Sequence, residues 1–273
     1  MFASIKKIHF VGIGGIGMSG IAEILLNQGF EISGSDMNES ENTEYLRSKG
    51  VNITLGHFPE NVVGKEVVVY SSAVNPEENP EIIEARKQGI PVIRRAEMLA
   101  EATRLNYCIA IAGTHGKTTT TSMIGLILIK AGYDPTVIVG GRLKDFGGTN
   151  ARLGNGDWTV LEADEYDRSF LQLLPSIAVI NNIEPEHLDI YDGIEDLKKT
   201  FIQFANKVPF YGFLALGTDN PNVKEILSSI NKKIVTYGLS RNNDYYAKDI
   251  ELQNNYSKFT LVKDSVNIGE ISL

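Results

Sequence analysis

With 273 residues, 42% hydrophobic and 22% charged, the chain has the length of two ordinary domains and the balance of a globular rather than a disordered protein. A formal net charge of −8, with no lysine- or arginine-rich run, argues against a nucleic-acid partner, because duplex binding needs a basic footprint. No segment approaches the roughly 20 apolar residues of a membrane span, and the single cysteine, Cys108, excludes an internal disulfide framework. The opening residues lack the apolar core and cleavage site of a signal peptide, so a cytoplasmic protein is expected.

Short β-branched runs alternate with helical patterns from the start, which predicts an α/β fold with parallel sheets. Ile8 to Val11 reads as a strand, followed by a glycine-rich turn and a helix over Met18 to Asn27 that Gly29 would end. A second strand follows at Glu31 to Ser35, and Val67 to Tyr70 has the fully apolar pattern of a buried strand. Pro80 to Gln88 reads as a helix with proline in its first turn, Pro91 to Ile93 as a strand, and Glu97 to Thr103 as a closing helix. The pattern then restarts: strand Tyr107 to Ala112, a glycine loop, and helix Thr118 to Ala131. This restart predicts a boundary near Arg104, with a Rossmann-like domain over 1–104 and a phosphate-loop ATPase-type α/β domain over 105–273. Further strands are expected at Thr159 to Leu161, Ala178 to Ile180, Phe213 to Leu216 and Ile234 to Tyr237, and a loop or short hairpin over Gly140 to Gly156. The tail from Tyr245 reads as short antiparallel strands with turn residues at Asn254-Asn255, ending at Leu273 in mid-strand.

Gly113-Thr114-His115-Gly116-Lys117-Thr118-Thr119-Thr120 follows an apolar strand and opens a helix, the context of a phosphate loop. Its glycines let backbone N–H groups approach phosphate oxygens, and the helix N-terminus adds positive potential. Lys117 would reach the β- and γ-phosphates of ATP, and the Thr118 hydroxyl would ligate Mg²⁺. The common eight-residue form has glycine where this chain has Ile111, so the loop is a variant. At the N-terminus, Gly12, Gly14, Gly15 and Gly17 form a second glycine turn between strand and helix, with Asp36 at the end of the next strand. That pattern fits NAD, and equally any other diphosphate seated on a helix N-terminus.

Glu162-Ala163-Asp164-Glu165 ends an apolar strand, and His187 follows the strand that ends at Ile180. Both would lie at the sheet's C-terminal edge, where α/β ligands bind and carboxylates and imidazoles meet divalent ions. Cys108, His9 and His57 read as structural.

Together these motifs resemble the Mur ligase family: Val11 to Gly20, Gly34-Ser35-Asp36, Gly113 to Thr120, Glu162 to Glu165, and Asn182-Ile183-Glu184-Pro185-Glu186-His187-Leu188-Asp189, in family order. The resemblance implies a UDP-sugar-binding first domain, a central ATPase domain, and a third domain beyond Leu273. The implied reaction is ATP-dependent joining of L-alanine to UDP-N-acetylmuramate through an acyl phosphate, in peptidoglycan precursor synthesis. It further implies Glu162 and His187 as metal ligands beside Thr118. Lys117 and His115 would stand at the reacting phosphates, and Gly113 to Thr119 around ATP. Gly12, Gly14, Gly15, Gly17, Asp36, Ser71, Ser72 and Ala73 would line the UDP site, with Asn150 and Arg152 as further contacts. Two alternatives stay open: a family member that recycles a murein tripeptide, which Glu165-Tyr166-Asp167 matches, and a non-catalytic nucleotide switch. The 273 residues alone are expected to fold without ligating.

Overall fold

A computed structural model of the chain describes residues 5–104, 106–140, 151–187, 189–253 and 256–273. They divide into two compact units, Met1–Leu105 with Asp134–Gly156, and Asn106–Tyr133 with Asp157–Leu273. In the first, β1 (Lys7–Val11) runs through a glycine turn into α1 (Ile16–Asn27), then β2 (Glu31–Asp36), α2 (Glu41–Ser48) and β3 (Asn52–Leu55). A 3-10 turn at Pro59–Val62 leads to β4 (Val67–Tyr70), α3 (Pro80–Lys87), β5 (Val92–Arg94) and α4 (Arg95–Thr103). The five strands are all parallel, in the order β3-β2-β1-β4-β5. The order reverses between β1 and β4, and a crevice opens at such a point beyond the strands' C-terminal ends.

Alternation along β1 divides its side chains between two cores. Ile8 and Phe10 join Met18, Ile21 and Leu25 of α1, and each such full burial contributes about 2 kcal/mol. Val11 joins Val68, Ile82 and Ala85 on the opposite face, under α3. Gly29 adopts φ +90° and donates its N–H to the Leu26 carbonyl at 3.0 Å, which ends α1 as its position predicts. The α2 and β3 elements are additions to the sequence expectation. Only Thr43 and Leu46 of α2 are buried, so its apolar periodicity is thin, and a capping box between Ser40 and Thr43 starts it.

The second unit begins with β6 (Tyr107–Ala112) and α5 (Lys117–Lys130). Next in the chain, β7 (Thr136–Ile138) and β8 (Ala151–Arg152) pair antiparallel within the segment that groups with the first unit, and residues 141–150 between them lie outside the described residues. The unit continues with β9 (Trp158–Glu162), a 3-10 segment at Tyr166–Gln172, β10 (Ile177–Ile180), α6 (Ile194–Ala205), β11 (Phe213–Gly217), α7 (Pro221–Ile226) and β12 (Ile234–Gly238). It ends in β13 (Tyr245–Gln253), β14 (Tyr256–Lys263) and β15 (Val266–Ser272). Its strands stand in the order β9-β6-β10-β11-β12-β13-β14-β15. They are parallel as far as β13, while β13, β14 and β15 form an antiparallel ribbon of longer strands than expected. Asn254-Asn255 lie outside the described residues. β6 is buried from Cys108 to Ala112, and burial pushes the Cys108 thiol up to about 12, which makes it an inert core residue. Among the described residues, no helix is long and apolar enough to cross a membrane.

Candidate functional site

At the switch point of the first unit lies a cavity of about 590 Å³, lined by Gly12, Gly14, Gly15, Asp36, Ser71 and Ala73 together with Met37, Ser40, His57 and Asn79 among others. Gly12 is required by its backbone: φ is +80°, and a Cβ there would stand 3.2 Å from Ser71 Cβ. Gly14 donates its N–H to Asp36 Oδ2 at 2.8 Å, so Asp36 holds the glycine turn as well as lining the cavity. Gly15 starts α1 with no side-chain cap, which leaves the helix N-terminus facing this region without an acid of its own. Gly17 packs against the Arg95 guanidinium and Ser72 is exposed; neither lines the cavity. Arg152 is engaged locally, with NH2 2.6 Å from Asp134 Oδ1 and NH1 donating to the Pro135 carbonyl at 2.7 Å. Asn150 lies outside the described residues.

In the second unit, β6, β9 and β10 are adjacent, so the loops that follow them meet at one sheet edge. Gly113 has φ +138°, and a Cβ on it would come 3.2 Å from Asn182 N and O. Gly116 has φ +80° and is the N-cap of α5. Asn182 grips the loop from both sides: Oδ1 accepts the His115 N–H at 2.8 Å, and Nδ2 donates to the His115 carbonyl at 3.1 Å. The Thr114 hydroxyl accepts the Glu184 N–H at 2.8 Å. Asn181 donates to Thr120 Oγ1 at 3.0 Å and accepts from the Tyr237 hydroxyl at 2.8 Å. Burial, reinforced by the charge of Asp219, raises that hydroxyl to about 12 and keeps it a donor. Thr118 and Thr119 stand in the first turn of α5, Thr118 half-buried and Thr119 exposed.

The Lys117 ammonium donates to the Gly113 carbonyl at 2.7 Å and to both oxygens of Glu165 at 3.0 and 2.9 Å. Glu165 is 1% exposed, and its backbone carbonyl accepts the Tyr191 hydroxyl at 2.5 Å. His187, at φ +56°, places Nε2 3.9 Å from Glu165 Oε1 and 4.0 Å from Glu186 Oε2. One ligand atom from each of Glu165, Glu186 and His187 lies within 4.8 Å of the others, two hard carboxylates and one borderline imidazole that could together meet a divalent cation. Glu162, at the end of β9, carries a buried Oε1 with no hydrogen-bond partner among the described residues, an arrangement that a cation would satisfy. Sequence reasoning gave the metal role to Glu162, His187 and Thr118 and assigned none to Glu165 or Glu186. The signal lay in the same motifs, three residues after Glu162 and one before His187. His115 is exposed, with Nε2 3.6 Å from Glu184 Oε2.

Two adjoining segments match family descriptions: residues 7–107 the Mur ligase family, catalytic domain, and residues 111–273 the Mur ligase middle domain. The chain belongs to the Mur ligase family. Among relatives, it is 55% identical over 272 residues to a UDP-N-acetylmuramate–L-alanine ligase of Geobacter sp. strain M21, covering 100% of this chain and 59% of that protein. The same name and 55% identity hold for a Sulfurihydrogenibium sp. protein, over 98% of this chain and 58% of the relative. The chain thus spans about three-fifths of the length of these curated Mur ligases. Among solved structures, the UDP-N-acetylmuramate-alanine ligase of Thermotoga maritima superposes with TM-score 0.80 at 29% identity, over 98% of this chain and 60% of that one. The UDP-N-acetylmuramate:L-alanyl-gamma-D-glutamyl-meso-diaminopimelate ligase of Neisseria meningitides gives 0.86 at 26% identity, over 98% and 87%.

Proposed function

We propose that this chain carries the UDP-sugar-binding and ATP-binding parts of a ligase that joins L-alanine to UDP-N-acetylmuramate in peptidoglycan precursor synthesis, in the cytoplasm. Residues 1–104 are the UDP-sugar domain and 105–273 the ATP domain. The observation that carries the reading is the loop at Gly113 to Lys117, folded onto Asn182 and brought beside Glu165 and His187 at one sheet edge. The 55% identity to L-alanine ligases along the whole chain supports the amino acid.

Phosphoryl transfer asks a protein for positioning and charge neutralisation more than for a covalent nucleophile. Lys117 places an ammonium at the loop, where it would bear on the phosphates of ATP, and the N–H groups from Gly113 to Thr119 would cradle them. His115, at the loop's exposed tip, is the second group set to approach the reacting phosphoryl. Thr118, Glu162 and His187, joined by Glu165 and Glu186, would hold Mg²⁺, which would offset phosphate charge. The lactyl carboxylate oxygen takes the γ-phosphoryl group and ADP leaves. The amine of L-alanine then attacks the acyl carbon, phosphate departs, and the amine loses its proton. In the first unit, Gly12, Gly14, Gly15, Asp36, Ser71 and Ala73, which line the cavity, would meet the UDP moiety.

Calorimetric titration of the chain with UDP-N-acetylmuramate, and separately with NAD, tests the first site. Saturable NAD binding with no response to the UDP-sugar overturns it. Glu165-Tyr166-Asp167, together with the fold shared with the Neisseria ligase, supports a peptide-accepting alternative. In a chain extended to the relatives' length, the accepted amine separates the two ligases, and the absence of any amide product would favour a nucleotide switch.

A further inference from the structure

The sheet face that carries Val11 also carries His9, Ser33 and Ser35, since β1 pairs with β2 in register His9 to Ser33 and Val11 to Ser35. Glu81, from the first turn of α3, enters this face with no exposed surface. Its carboxylate accepts from Ser35 Oγ at 2.6 Å and Asn61 Nδ2 at 2.5 Å, and lies 3.0 Å from His57 Nδ1 and 3.5 Å from His9 Nε2. Burial alone would raise this carboxyl, but the nearby His9 imidazole and the hydrogen bonds from Ser35 and Asn61 outweigh it and hold it below its ordinary range, so the group is an anion.

The proton positions follow from donor counting. Ser35 has one hydroxyl proton and spends it on Glu81, so its oxygen can only accept at His57 Nδ1, 2.9 Å away. Glu81 as an anion can also only accept. Nδ1 of His57 therefore carries hydrogen, and Nε2 is the ring nitrogen left for the cavity that His57 lines. No lysine or arginine lines that cavity, and its other titratable residues, Asp36 and Glu78, are acids. His57 is thus its one basic side chain among the described residues.

We propose that Glu81 is a positioning residue for the nucleotide cavity: through His57 Nδ1 it fixes the imidazole's tautomer and orientation, so that Nε2 meets a polar group of the bound UDP-sugar. Glu81 acts without touching the ligand, and the inference rests on the proposed reading of this cavity.

The test uses the 273-residue chain, UDP-N-acetylmuramate and ¹⁵N-histidine NMR. In the wild type, His57 shows a protonated Nδ1. In Glu81→Gln, whose amide can present N–H to the ring, the population moves to the Nε2–H form, and the Kd rises about tenfold. His57→Asn, whose amide keeps a donor near the place of Nδ1 but has nothing at Nε2, also weakens binding about tenfold. The double variant binds no worse than either single one. An Nε2–H tautomer in the wild type overturns the inference, and needs no substitution to be seen. Losses that multiply to about a hundredfold in the double variant assign Glu81 a merely structural role and overturn it too. Absence of any UDP-N-acetylmuramate binding by the wild type removes the cavity reading itself, and the inference with it. Wild-type binding that survives Glu81→Gln unchanged overturns the inference alone.

Discussion

Replacing Lys117 by methionine strands the Glu165 carboxylate. Glu165 is 1% exposed and the Lys117 side chain 17% exposed, with 2.9 Å between the charges. At that distance the gross attraction is about 6 kcal/mol at an effective dielectric near 20. The desolvation of both ions opposes it, so the net worth of the pair is small, whereas leaving one buried partner alone costs about 3–5 kcal/mol. Lys117 keeps some solvent, which puts Lys117→Met near the low end, about 3 kcal/mol. Adding Glu165→Gln removes the stranded charge, so the double variant should return to within about 1 kcal/mol of the wild type. The one tryptophan of the chain, Trp158, sits on β9 with its ring 5.2 Å from Tyr107, so urea unfolding followed by its fluorescence reports on the second unit. A Lys117→Met midpoint within the scatter of wild type, or a double variant as unstable as the single, refutes the reasoning.

Gly116→Ala forces a Cβ into φ +80°, which should cost about 1–2 kcal/mol and weaken ADP binding, both measurable by urea unfolding and calorimetry. Glu162→Gln and His187→Ala should each weaken Mn²⁺ binding in the presence of ADP about tenfold or more, read by electron paramagnetic resonance. The Trp158 unfolding midpoint should barely move; a large loss of stability with metal affinity retained would mark these residues as structural. Glu81 has a lowered carboxyl in the folded chain, so its stabilising contribution is full above the ordinary value of 4.5 and lost as pH falls through the folded value. The stability gap between wild type and Glu81→Gln, followed by circular dichroism, should therefore narrow as pH drops below about 4.5. A gap that widens instead contradicts the assignment.

The central strands of both parallel sheets were legible because β1, β4, β6 and β10 are short, apolar and bounded by glycine or polar turns, whereas the edge strand β3, with only Ile53 buried, was not. Both glycine turns were legible for the same reason, since a strand, a tight turn and a helix start leave a local signature. The α6 helix was missed although Leu197, Phe201, Phe204 and Ala205 repeat at helical spacing and are buried. The cluster around Glu81 could not be read at all. Its members come from β1, β2, the 57–61 segment and α3, and only the sheet register and the packing of α3 bring them together. Glu165 falls between these cases: its motif was seen, but the choice between it and Glu162 depends on which carboxylate the strand end turns toward Lys117.

The clasp of Asn182 on His115 has a consequence for anyone who would transplant this loop. Residues 113–116 owe their path to the segment 181–184, more than sixty positions downstream, through Thr114, His115 and a close approach at Gly113, whose φ of +138° also disfavours a side chain. The two stretches are halves of one part. A chimera that imports the loop without its downstream half would carry the recognised motif on an untethered backbone and would have to order it anew with each nucleotide, as ordering a backbone residue costs about 1–2 kcal/mol. A recombination library with crossovers between Lys117 and Asn181 should accordingly lose nucleotide affinity wherever the second half comes from a parent that lacks this asparagine pair.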